Sequence, residues 1–252
     1  MAAICDQRAS LLRWLALPER VQERAMSLLR WLALPERVLL AWLIYAVGAR
    51  RWLTGALGAE LVGRAPRWRC AFGLPTQLVV LPLLCYFAFA AEGRDMTRWS
   101  DRCSRHGLGA NTSAFALVFG AAMLYDFATV EMRSALIVHH IVSVLGHAYA
   151  CAGRGRVRAA LPWYVCGVAA LEAGSGACSG YWLLAPCRPA LFAFVGLMTA
   201  SNLAGAACTW RWWRAAQDGA AANAAVLVSV ALVAIRQREA LRTLLAGIQA
   251  PL

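Results

Sequence analysis

The sequence predicts an all-α, multi-pass transmembrane bundle of six or seven helices, and three observations carry that expectation. Of 252 residues, 61% are apolar and only 15% are charged, a balance outside the range of ordinary soluble domains. The charges are also clustered. Residues 70–91, 107–125, 134–153, 189–210 and 219–235 contain no Asp, Glu or Arg, and residues 159–187 contain Glu172 alone. Roughly 17–25 apolar residues in a helix cross about 30 Å of hydrocarbon, so each of these six runs reads as a span. Finally, Asp126 lies at the end of one run, His139 and His140 in the next, and Glu172 in the one after. Ionisable side chains at membrane depth are costly and rare, and they mark a working site.

The N-terminal segment, residues 1–37, is charged and amphipathic. Its SLLRWLALPERV sequence occurs without change at 10–21 and at 27–38, placing Trp14 and Trp31 where they suit a membrane surface. Two copies fall short of a repeat architecture, so the pair reads as a recent duplication or an artefact of gene prediction. The segment has no apolar core of the signal-peptide type, so insertion is expected to be directed by the first spans. Residues 38–63 hold a short first helix and a basic loop. The apolar run 38–49, at 12 residues, suits a short or interfacial helix as well as a seventh span.

The second span begins near Cys70 after Arg64, Arg67 and Arg69, and Pro75 and Pro82 are expected to kink it. Residues 92–106 form a polar connection. Arg-bearing turns follow near Arg133, Arg154–Arg158, Arg188 and Arg211–Arg214, and the chain closes with a basic tail at 239–252. Arginines divide too evenly between the two sides to set orientation, with a lean toward a cytosolic N-terminus. All the basic residues are Arg, so no side-chain amine is available for Schiff-base chemistry. The net charge of +12 sits in loops between spans, where it meets anionic lipid rather than nucleic acid. Nine cysteines, odd in number and without a CxxC pair, argue against a disulfide framework or zinc site.

Helical spacing places His140, Ser143 and His147 on one stripe, with His139 turned about 100° away. Glu172, Ser175 and Ser179 form a stripe on the next span, with Tyr164 nearly in line. Were the three spans neighbours, an Asp, a His pair and a Glu would converge on one buried pocket. The imidazoles could move a proton there while a carboxylate orients them; equally, the pair could be structural glue between helices. Adjacent histidines cannot easily both ligate one ion, so no metal is expected. Asn111-Thr112-Ser113 matches a glycosylation sequon but abuts a span and reads as chance.

Tyr125-Asp126, the His139-His140 pair and the Leu171-Glu172-Ala173-Gly174-Ser175 segment together resemble the TLC-domain family, which includes ceramide synthases and TLCD proteins. Trp68 resembles the entry to that domain, and the likeness covers about residues 64–238. It implies helices around a central cavity able to hold an acyl chain. His139, His140, Asp126 and Glu172 would be its reactive groups, and Tyr125, Ser143, Ser175 and Tyr164 its substrate contacts. Departures are visible. Gln77 stands where many relatives carry His, and the polar signals that follow the His pair in ceramide synthases are missing after His147. The resemblance therefore points to the TLCD branch and to membrane-lipid homeostasis in the endoplasmic reticulum or a connected membrane. Membrane lipids would be the partners, and no cofactor is implied. The alternatives are an N-acyltransferase with acyl-CoA as co-substrate, and a non-catalytic scaffold or cargo receptor.

Overall fold

A computed structural model describes residues 34–58, 60–62, 65–130, 134–184, 187–217 and 219–249. The first 33 residues, with most of the duplicated segment, lie outside the described residues. Helix α1 (Pro35–Leu57) has proline in its first turn and stops at Gly58, whose φ of 71° a side chain would disfavour. It runs well past the 12-residue apolar run, because Arg50 and Arg51 end the apolar stretch without ending the helix. Arg50 instead places its guanidinium over the Trp68 ring. A short antiparallel hairpin of β1 (Leu61–Val62) and β2 (Ala65–Pro66) follows, with Leu61 opposite Pro66.

One continuous helical stretch of 26 residues comes next: α2 (Arg67–Pro75), a π-turn (Thr76–Val80) and α3 (Leu81–Glu92). The π-turn lies between Pro75 and Pro82. Neither proline can donate a ladder bond, and the Leu81 N–H reaches back to the Thr76 carbonyl, widening the turn. The widened turn sits where the two prolines interrupt the ladder of the span. Helix α4 (Met96–His106) is capped by Asp95, whose side chain accepts from the Arg98 N–H at 2.8 Å. It buries Trp99 and Cys103 and turns Arg98, Asp101, Arg102 and Arg105 outward. Burial pushes the Cys103 thiol up to about 12, so it stays protonated and packs as an apolar group.

Five long helices complete the chain: α5 (Ala110–Thr129), α6 (Ser134–Ala152), α7 (Gly155–Leu183), α8 (Arg188–Ala216) and α9 (Gly219–Gln249). Helix α7 is the hub, packing along α8 and against α2, α3, α4 and α6. Small residues set these approaches. Gly205 leaves room for Leu171 and Gly176 for Leu78, so the backbones come close. Helix α9 lies outermost and continues through the expected basic tail as far as Gln249.

Among the described residues, four stretches are long and apolar enough to cross a membrane: Arg67–Glu92, Ala110–Thr129, Arg188–Ala216 and Gly219–Ile248. That is fewer than the six or seven expected. Helix α7 has the length, but Gly, Ser and Glu172 dilute its apolarity, and α6 contributes a shorter apolar helix, Ile137–Ala152. Helix α1 holds three arginines. Outward-facing Leu40, Ile44, Leu78, Leu124, Leu203 and Leu227 give the bundle an apolar exterior suited to lipid rather than water.

A buried carboxylate fixes the start of α5. Glu92, at the end of α3, accepts from the backbone N–H groups of Asn111 (2.8 Å) and Thr112 (3.1 Å), and from the Thr112 hydroxyl. An anion at a helix N-terminus meets both the free N–H groups and the positive end of the helix dipole. Gly109 supplies the space the carboxylate occupies. The same burial of Asn111 and Thr112 keeps the sequon inaccessible. Glu92→Ala strands these donors and is expected to cost about 1–3 kcal/mol, read as a lower thermal midpoint of the detergent-solubilised protein.

Candidate functional site

Two polar centres sit side by side within the bundle. The first is built on Asp126, near the end of α5, where the carboxylate is only 5% exposed. The guanidinium of Arg69 grips it with two N–H groups, the Nε–Oδ1 distance being 2.5 Å. His140, on α6, donates from Nε2 to Oδ2 at 3.3 Å, which assigns the proton to Nε2. A forked Arg–carboxylate pair is strong and directional, and it leaves His140 little freedom to turn. Phe127 packs edge-on against the His140 ring. Gly73 stands one turn beyond Arg69, and a Cβ there would collide with the guanidinium.

The second centre surrounds Glu172 on α7. Gln77, aimed by the π-turn, donates from Nε2 to Glu172 Oε2 at 2.9 Å. Arg236 of α9 is the main opposing charge on this carboxylate. Its own N–H groups go to the Leu171 carbonyl (2.7 Å), Ser175 Oγ (3.0 Å) and Asn202 Oδ1 (3.3 Å), tying α9 to α7 and α8. Gly174 provides the clearance for that guanidinium. Asn202 is itself held by Gln237 at 2.9 Å. Arg69 feels the charge of Glu172 as well as that of Asp126, so the two centres form one electrostatic layer.

Glu172 and Arg236 also line a slot of about 390 Å³ between α6, α7 and α9. His139 and Ser143 of α6 face it at the same level, whereas its far end is closed by Tyr149, Trp163 and Trp212. The structure thus divides the four reactive groups expected to share one pocket. Asp126 and His140 pair with Arg69 behind α6, while His139 and Glu172 face the slot. The two imidazoles touch edge to face, with ring centres 5.5 Å apart. Adjacent residues on a helix point about 100° apart, which is why one histidine can look each way.

The remaining expected contacts are distributed similarly. Ser143 and Tyr164 line the slot. The Tyr164 hydroxyl meets His147 Nδ1 at 3.0 Å, and His147 Nε2 meets the Ala116 carbonyl at 3.0 Å. A carbonyl can only accept, so Nε2 carries the proton and Nδ1 accepts from Tyr164; His147 is a helix-to-helix bridge. Gly120 leaves room for its ring. Ser175 serves Arg236. Tyr125 faces away from the slot, donating to the Ala46 carbonyl of α1 at 3.0 Å and packing against Trp42 and Phe72.

Arg69 and Arg236 were not expected at the site because each sits just beyond the edge of an apolar run, and Gln77 stands out in the sequence only as a departure from the TLC-domain pattern. The available signal was spacing: Arg69, Gly73 and Gln77 fall at intervals of four, one face of one helix. Among the described residues, no group of three or more His, Cys, Asp or Glu is placed to hold a metal ion. What the arrangement can do is hold an imidazole, a carboxylate and a guanidinium at the end of an apolar slot, where a proton can be exchanged with a bound polar group.

No protein-family model, curated protein or solved structure matches the chain. The site therefore rests on its own geometry. Asp126→Ala leaves Arg69 buried without its carboxylate and is expected to cost about 3–5 kcal/mol. Replacing both partners, Arg69→Met with Asp126→Leu, is expected to restore most of the loss. Thermal unfolding of the two variants against the parent checks the pair.

Proposed function

We propose that this chain is a TLC-domain-type membrane protein acting in membrane-lipid homeostasis, binding, sensing or modifying acyl lipids in the slot between α6, α7 and α9. In this reading α6 and α7 cross the membrane with the four long apolar stretches, giving six crossings, and α1 lies against them as a seventh helix. The endoplasmic reticulum or a connected membrane is the proposed location.

One observation carries the reading: an elongated apolar slot ends at His139, Glu172 and Arg236, charged and titratable groups placed where lipid would otherwise be. Its volume of about 390 Å³ falls within the roughly 300–1,000 Å³ of small-molecule sites. Purely structural charges would be expected to bury themselves as Arg69 and Asp126 do. Facing a cavity instead supports a ligand site. His139 is the proposed proton-exchanging group, because it faces the slot, and His140 is its fixed neighbour, held by Asp126.

The reading is tested in cells lacking the protein, complemented with the parent chain or with His139→Ala. The expected result is a shift in acyl-lipid composition that the parent corrects and His139→Ala does not, at equal membrane abundance. Full correction by His139→Ala would sink the role given to the slot.

A further inference from the structure

Taking the slot as a lipid site, its shape and charge specify what kind of lipid. Along α6 the lining runs from His139 to Tyr149 and along α9 from Arg236 to Ala221. At 1.5 Å per residue these are about 15 and 22 Å. A volume of about 390 Å³ drawn out over that length is narrow, and suits one hydrocarbon chain better than two. The lining also reaches the exterior. Leu145 of α6 and Val228 of α9 both line the slot, yet they are 64% and 38% exposed. Helices α6 and α9 meet at few points, so the slot opens sideways between them, toward lipid.

At the charged end, Glu172 and Arg236 oppose one another. Among the described lining residues, the other titratable side chains are His139, Tyr149 and Tyr164, and Tyr164 is occupied by His147. The end is therefore balanced before anything binds: one acid, one base and an imidazole. A head group bringing a net charge would leave that charge uncompensated in a wall of low dielectric. A head that both donates and accepts hydrogen bonds meets the carboxylate and guanidinium at once and keeps the balance.

We infer that the slot takes a single-chain amphiphile with an uncharged, hydrogen-bonding head, a hydroxyl or amide, entering from the bilayer between α6 and α9 and seating its head between Glu172 and Arg236. The chain then lies along Val142, Gly146 and Val168 toward Trp163 and Trp212. Its far end is apolar and aromatic, and its near end is matched to neither an alkyl carboxylate nor an alkyl ammonium.

The test uses the full chain in lipid nanodiscs and three photoreactive probes of identical chain, bearing a monoacylglycerol, a carboxylate or a primary ammonium head. The expected result is saturable labelling of α6 or α9 by the monoacylglycerol probe, about tenfold over either charged probe. Glu172→Gln leaves the end positive and is expected to move the preference about tenfold toward the carboxylate; Arg236→Gln moves it as far toward the ammonium. The two variants fold or fail independently, so either one reads the charge balance. Preference of the parent chain for a charged probe, or variants that leave the ranking unmoved, would overturn the head-group inference while the slot stays a lipid site. No saturable labelling by any probe would overturn both.

Discussion

A charge inside an apolar bundle must be neutralised within reach of its own side chain, and the forked contact between Arg69 and Asp126 is where this protein meets that constraint most completely. The contact fixes the carboxylate, the carboxylate fixes His140, and His140 fixes the face that α6 presents to its neighbours. Helix α6 must then turn His139 the other way, toward the slot. The orientation of one imidazole is thus set by a guanidinium that never touches it. The pair is specific in a way apolar packing is not, because only one rotation of α6 satisfies Asp126.

The second acid follows a looser version of the same rule. Glu172 has an amide as its direct partner and a guanidinium as its opposing charge, and that guanidinium is shared among four neutral acceptors on α7 and α8. A carboxylate held this way keeps the negative charge tolerable without closing off its approach from the slot. The contrast between a sealed pair and an open one, side by side in a single layer, separates structural charge from charge available to a ligand.

The amphipathic and apolar patterning of the chain was legible, and so was the concentration of polar groups on three consecutive runs. Periodicity placed His140 and Glu172 inside helices, and the structure puts helices there. Which face each residue takes was beyond reach, because rotation of α6 depends on Arg69, a residue lying one position outside the charge-free run. Gln77 stands out only as lying where many TLC-domain proteins carry His, and its aim at Glu172 depends on a π-turn that no periodic pattern announces. Of the expected crossings, four stand out by length and apolarity among the described residues, and α6 and α7 fall short of that measure. Glycine, serine and Glu172 make α7 less apolar than a lipid-facing helix.

The stretch from Arg67 to Glu92 grips α5 at both ends: Arg69 holds Asp126 near its finish, and Glu92 holds the backbone at its start. Two such fastenings, some distance apart, prevent both sliding and rotation of one helix against the other. That part of the molecule behaves as a frame. Helix α9, only 6% buried over its apolar window, is held by Asn223 to Trp213 near its start and by Arg236 and Gln237 farther along. Loss of the Arg236 side chain would therefore loosen α9 from α7 and α8 while both fastenings of α5 stay in place.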